Sequence, residues 1–260
     1  MKHNYSVFKR LITVIVVLLA FTFTNIALAQ NKQAPDAEPQ SMYVSMITVK
    51  PGMELEWENF IKKDLIPILK KGGIDGMMAL VTDVFGKGST YMFVIPIQDM
   101  AMFDDPDPIA KAAGPDGLAL MLSIMQRTVA STHTFLLTGM PDLNIPPKQG
   151  YQIKMGVMAT MSVAPGRTDD FIKNAKELLA VIKKTNAKAV LTASVGLGGN
   201  PNDFIMFVVF DSFKDLGQFP KSFEKAMANT KLTPQTGVTT HVEYTVLKAA
   251  PELGIQPKGQ

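Results

Sequence analysis

Cysteine is absent from the 260-residue chain. That excludes disulfide staples, thiolate metal ligands, thiol nucleophiles and lipid anchoring at a cysteine, so the fold must rest on its own core. Histidine is scarce: His3, His133 and His241 are all there is, and Trp57 is the single tryptophan. No G-x-S-x-G, H-E-x-x-H or Walker pattern occurs. The nearest thing to a phosphate loop, Gly196-Leu197-Gly198-Gly199-Asn200, leads from one apolar run into another, so it reads as a hairpin turn.

A basic excess is missing as well, once the first residues are set aside. Lys2, Lys9 and Arg10 precede an apolar run over residues 11–26, and Ala27-Leu28-Ala29 supplies a small-x-small cleavage site. Residues 1–29 therefore read as a signal peptide cut after Ala29, with a periplasmic or secreted destination. That segment holds three of the 26 Lys and Arg and none of the 23 Asp and Glu, leaving 23 of each. A neutral remainder gives no pull toward nucleic acid or an anionic membrane surface. No later run is long enough to span a bilayer, so no stable membrane insertion is expected after cleavage.

What is present is a unit used twice. Residues 30–41 are polar with two prolines, a flexible leader. Thr48-Val49-Lys50-Pro51-Gly52 then matches Ser162-Val163-Ala164-Pro165-Gly166, and each follows a β-branched or Met-rich run that reads as a strand. Each turn opens a helical pattern with acids first and bases last. Trp57, Phe60, Ile61, Leu65 and Ile68 recur at helical spacing in the first, Phe171, Ala175, Leu179 and Ile182 in the second. Pro67 should kink the first helix. Two apolar strands around a glycine-bearing turn follow in each unit. Next comes a second helical region, read as two helices meeting at Pro220 in the later unit. A Thr-rich strand holding His133 or His241 closes each. The codas Pro141-Asp142-Leu143-Asn144-Ile145-Pro146-Pro147-Lys148 and Pro251-Glu252-Leu253-Gly254-Ile255-Gln256-Pro257-Lys258 follow.

The expected fold is therefore α+β, two tandem ferredoxin-like βαββαβ repeats packed as an intramolecular, pseudo-dimeric α+β barrel. The repeats occupy residues 42–140 and 151–249, with 141–150 as linker and 250–260 as tail. Y-V-S-M-I-T-V-K-P-G-M-E-L-E-W-E-N-F, the following D-L-I-P-I-L-K-K, and F-D-S-F-K-D-L resemble the dimeric α+β barrel superfamily, most closely its NIPSNAP-type and antibiotic-biosynthesis-monooxygenase-type branches. The resemblance implies a barrel formed by two units. Its members include oxygenases, haem proteins and proteins without assigned roles.

His133 and His241 lead the candidate catalytic residues because they recur at matched positions in the doubled strand, with Phe135 standing where the second copy has Glu243. Glu243 shares a strand face with His241, where it could orient the imidazole. The resemblance to cofactor-free monooxygenases adds Trp57 and Tyr91 as ligand-binding candidates lining the barrel. Histidines on strands do not suit the haem-binding branch, and the 17 methionines are scattered as core filler, so no cofactor and no metal is expected. Two readings follow. One is an exported non-catalytic module binding a small apolar ligand or a protein partner, with a homo-oligomer left open. The alternative is a cofactor-free monooxygenase-like enzyme acting on an aromatic or quinol-like substrate.

Overall fold

A computed structural model describes residues 40–82, 84–85, 88–97, 100–103, 108–228, 230 and 236–256. The expected signal peptide and most of the leader lie outside the described residues. The first half runs β1 (Ser41–Val49), α1 (Glu54–Phe60), a π-helical turn (Ile61–Leu65), α2 (Ile66–Lys71), β2 (Met78–Thr82), β3 (Ser89–Ile97), α3 (Pro108–Thr128) and β4 (Val129–Gly139). The second runs β5 (Met155–Val163), α4 (Thr168–Ile182), β6 (Ala189–Val195), β7 (Asp203–Phe210), α5 (Phe213–Met227) and β8 (Thr239–Ala249).

The local signals explain most boundaries. Acids stand in the first turns of α1 (Glu54, Glu56) and α4 (Asp169, Asp170), where the helix dipole favours them. The kink expected at Pro67 takes the form of a widened turn: the Ile66 N–H reaches back to the Ile61 carbonyl, and Pro67 falls in the first turn of α2, where its missing N–H costs little. α3 is broken at Gly114, whose φ of 69° no helix tolerates. The expected division at Pro220 does not occur. α5 is one helix from its Ser212 cap to Met227, held across the proline by Phe219 packed on both Phe210 and Phe223.

All eight strands close into one barrel in the order β1-β3-β2-β8-β5-β7-β6-β4, antiparallel throughout. Each half contributes the same internal order, β4-β1-β3-β2 and β8-β5-β7-β6. The halves meet at two short seams. Leu80 to Thr82 pair with Ala249 to Leu247, and Leu137 to Gly139 pair with Val195 to Ala193.

Three layers of core result. Side chains from all eight strands, including Val44, Leu80, Met92, Val94, Phe135, Leu137, Met158, Ile205, Phe207 and Leu247, fill the barrel interior. The helices of the first half seal its outer face over Trp57, Phe60, Ile61, Tyr91 and Phe93. Those of the second do so over Phe171, Leu179, Phe204 and Met206. The codas cross over. Leu143 is buried in the second half's outer core and Leu253 in the first's, each followed by one bridge, Ile145 to Val190 and Ile255 to Met77.

Candidate functional site

The short seams leave β4 extending past its pairing with β6, and β8 past its pairing with β2, at the same end of the barrel, because β1 and β5 run in the same direction. Both histidines sit on these projections. His133 lies opposite Met46 of β1, and His241 opposite Ser162 of β5. The register corrects their expected equivalence. Val129 pairs with Val49 and Thr239 with Val163, each beside a bulge, so β4 and β8 align at an offset of 110 residues. His133 therefore occupies the place of Glu243, and His241 that of Ser131. Phe135 corresponds to Thr245, not to Glu243.

Alternate residues on a strand share a face. Phe135 and Leu137 on β4, and Leu247 and Ala249 on β8, belong to the barrel interior, so His133, His241 and Glu243 lie on that same interior-facing side, beyond the packed zone. All three are exposed. The same parity and the pairing register place Thr48, Thr82, Thr90, Ser131, Thr160, Ser162 and Asp203 on the lumen face at this end. The barrel is apolar inside and polar at one mouth. Thr82 donates to the Gly88 carbonyl at 2.6 Å and accepts from the Thr90 N–H at 2.9 Å, while the Thr48 and Thr90 hydroxyls are 3.2 Å apart. Sequence reasoning missed this hydroxyl belt, although counting by twos from Met42, Val44 and Met46 leads to it.

The two projections are covered differently. The β6–β7 loop lies along the β4 edge: Leu136 donates to the Leu197 carbonyl, Gly196 to the Leu136 carbonyl, both at 2.8 Å, and His133 Nε2 donates to the Gly198 carbonyl at 3.1 Å. The His133 ring also lies tilted against Phe135, the ring centroids 5.0 Å apart. Among the described residues the β2–β3 loop makes no such bond with β8. Its Phe85 instead meets Phe213 edge-on at 6.2 Å.

Trp57 and Tyr91 lie elsewhere. They are 1% and 2% exposed in the first half's outer core, ring centroids 6.3 Å apart, on the sheet face opposite the lumen. Tyr91 donates to Glu58 Oε1 at 3.1 Å. Burial, then the Glu58 charge, pushes its hydroxyl well above the usual phenol range. Trp57 Nε1 is a buried donor with no partner among the described residues. At the opposite end of the barrel from the mouth, Lys188, Lys154 and the Tyr151 hydroxyl converge on Asp211, and the Lys188 contact leads in holding its carboxyl below the usual range. Among the described residues no group of three His, Cys, Asp or Glu could hold a metal ion, and no helix is long and apolar enough to cross a membrane.

The architecture defines an α+β barrel of ferredoxin-like units, and solved structures share it. A "putative monooxygenase" from Fusobacterium nucleatum matches with a TM-score of 0.56 at 15% identity, covering 86% of this chain and 96% of its own. An anthrone oxidase-like protein matches with a TM-score of 0.55 at 10% identity, covering 83% and 92%. A mutant chlorite dismutase from Candidatus Nitrospira defluvii, in complex with cyanide, matches with a TM-score of 0.50 at 9% identity, covering 82% and 92%. At such identities the likeness is one of fold. No protein-family model matches the chain, and no curated protein does.

Proposed function

We propose that this is an exported, non-catalytic binding module, a duplicated dimeric α+β barrel of the NIPSNAP-like kind, in which two repeats in one chain stand in for two subunits. Its ligand is small and largely apolar with one polar end. The observation that carries the reading is the graded barrel. Met92 and Met158 in the interior, with Met42, Met46 and Met78 packed against them, are unbranched side chains that can repack around an apolar body. The threonine, serine and histidine rim above them offers donors and acceptors to a polar head. Native mass spectrometry after soaking with a medium-chain fatty acid and a naphthol tests this. A retained probe in the native chain, lost in Met46→Glu, is expected; no retained probe would sink the idea.

A second reading is favoured by the names of the neighbours. A cofactor-free monooxygenase-like enzyme would place an aromatic or quinol-like substrate at the same mouth, with His133, His241 and Glu243 moving protons. Oxygen uptake with anthrone or quinol substrates, compared between the native chain and His133→Ala and His241→Ala, decides it. Turnover unchanged by both substitutions leaves the enzymatic reading without its residues.

A further inference from the structure

The two halves differ in their second helices. α5 carries Lys214, Lys221, Glu224 and Lys225 on its exposed face, as a solvated helix should. α3 breaks at Gly114, and from Pro115 to Thr128 its only charges are Asp116 and Arg127. The stretch between them reads G-L-A-L-M-L-S-I-M-Q. Met121 is buried in the first half's outer core, and Ile124 and Met125 pack against that core. Leu120 turns away from it and stays 43% exposed, next to exposed Ala119 and three residues from exposed Ser123. An apolar face on the side of a helix away from its own core marks a contact surface.

Asp116, Leu120, Ser123 and Arg127 stand at i, i+4, i+7 and i+11, and all four are exposed, so they form one stripe along the helix. The stripe ends in opposite charges at equal distances from its middle. Asp116 has no ion-pair partner among the described residues. Arg127 binds Glu56 of α1 through Nε and Nη2, while its Nη1 lies 3.5 Å from Ser123 Oγ, turned along the stripe.

We propose that this face of α3 docks a second copy of the same chain, the two α3 helices packing antiparallel about a two-fold axis between Met121 and Leu122. In this register Asp116 meets the partner's Arg127 at both ends of the contact, and Leu120 packs over the partner's Ser123. The small side chains of Ala119 and Ser123 let the helices come close enough for the leucines to fill the space between them. A parallel arrangement would set like charges together at both ends, so charge selects the antiparallel one. Residues 30–39 hold no apolar side chain larger than alanine or proline, so the leader does not match this face. A two-fold contact uses the same surface on both chains, and assembly stops at the dimer.

Sedimentation velocity on the purified chain tests the inference, over a range of roughly 1–200 µM chosen because one helix pair is a small interface. Reversible monomer–dimer exchange is expected. Leu120→Glu puts two carboxylates at the centre of the contact and should remove the dimer with unchanged circular dichroism. Leu197→Glu changes a more exposed leucine, at 69%, in the β6–β7 loop and should associate as the native chain does. Asp116→Lys faces the partner's Arg127 twice per dimer and should weaken association about tenfold. The chain has no cysteine, so introduced thiols read the register. Leu120→Cys and Ser123→Cys chains, mixed and mildly oxidised, should crosslink about tenfold faster than either alone, because only the mixed pair sets the thiols directly opposite. A native chain monomeric throughout overturns the proposal. So does a Leu120→Glu chain that associates as the native chain does, a Leu197→Glu chain weakened as much, or a mixture that crosslinks no faster than its components. Ligand uptake is read by mass spectrometry and self-association by sedimentation, so either can fail without the other.

Discussion

Met77 and Ile255 hydrogen-bond to each other in both directions, at 2.9 and 2.8 Å, and so tie the tail of the second half to the opening of β2 in the first. Ile145 and Val190 make the reciprocal pair, both bonds at 2.9 Å. Each coda thus seals the half that did not produce it, and the buried leucine ahead of each bridge is its anchor. Leu253→Ala and Leu143→Ala should each lower unfolding free energy by about 2–5 kcal/mol, the range for an excised core leucine. Urea unfolding followed by circular dichroism measures both. If each strap served only its own half, either substitution would split the transition; a single cooperative transition is expected to persist.

The clasp of the β6–β7 loop on β4 depends on Gly198. Its φ is +86°, and an added Cβ would run into the Thr134 carbonyl. Gly198→Ala should therefore cost more than the roughly 1 kcal/mol of backbone strain alone. Gly237 is the control: its φ is +70°, but among the described residues nothing lies within 4 Å of an added Cβ. A larger drop in melting temperature for Gly198→Ala than for Gly237→Ala is the expected result.

Tyr43 carries a pH dependence. Burial, only partly offset by the Thr134 hydroxyl, pushes its phenol from 10.0 up to about 12. A folded pKa above the unfolded one means the contribution is complete below pH 10 and is lost as pH rises toward 12. The two-unit shift corresponds to about 2–3 kcal/mol. Relative to Tyr43→Phe, the native chain should lose that much stability between pH 9 and 12, read from urea midpoints at each pH.

Ser212 caps α5 by accepting the Asp215 N–H at 3.2 Å, while its hydroxyl donates to Asp215 Oδ2 at 2.9 Å. Ser212→Ala should cost about 1 kcal/mol, measurable as a shift in unfolding midpoint. Pro220 already removes one bond from this helix, so the cap is the contact on which its first turn depends.

Much of this was legible beforehand. The Pro-Gly turns, the acid-first helices and the apolar positions at helical spacing located β1, α1, β5 and α4, and the core residues Trp57, Phe60, Phe171 and Leu179 follow from that spacing. The equivalence of His133 and His241 that their Thr-rich strands suggest is off by two residues, and the chain itself carries the correct offset. The codas repeat at an offset of 110, and applying that offset to the strands pairs His133 with Glu243. Local propensity marks Pro220 as a boundary because proline is disfavoured inside a helix, and the packing of Phe219 overrides it.

By itself, the sequence determined the elements, their doubled order and the turns between them, because helical and strand periodicities are written in neighbouring residues. It did not determine which face of β3 looks inward. Tyr91, Met92, Phe93, Val94 and Ile95 are all apolar, since one face packs on helices and the other fills the barrel, and a strand buried on both sides has no alternation to read. Only the tertiary structure sent Tyr91 outward and Met92 inward, crossed the two codas, and laid the β6–β7 loop along the edge of β4. Each of those depends on contacts between segments far apart in the chain, where closing the barrel decides what is covered.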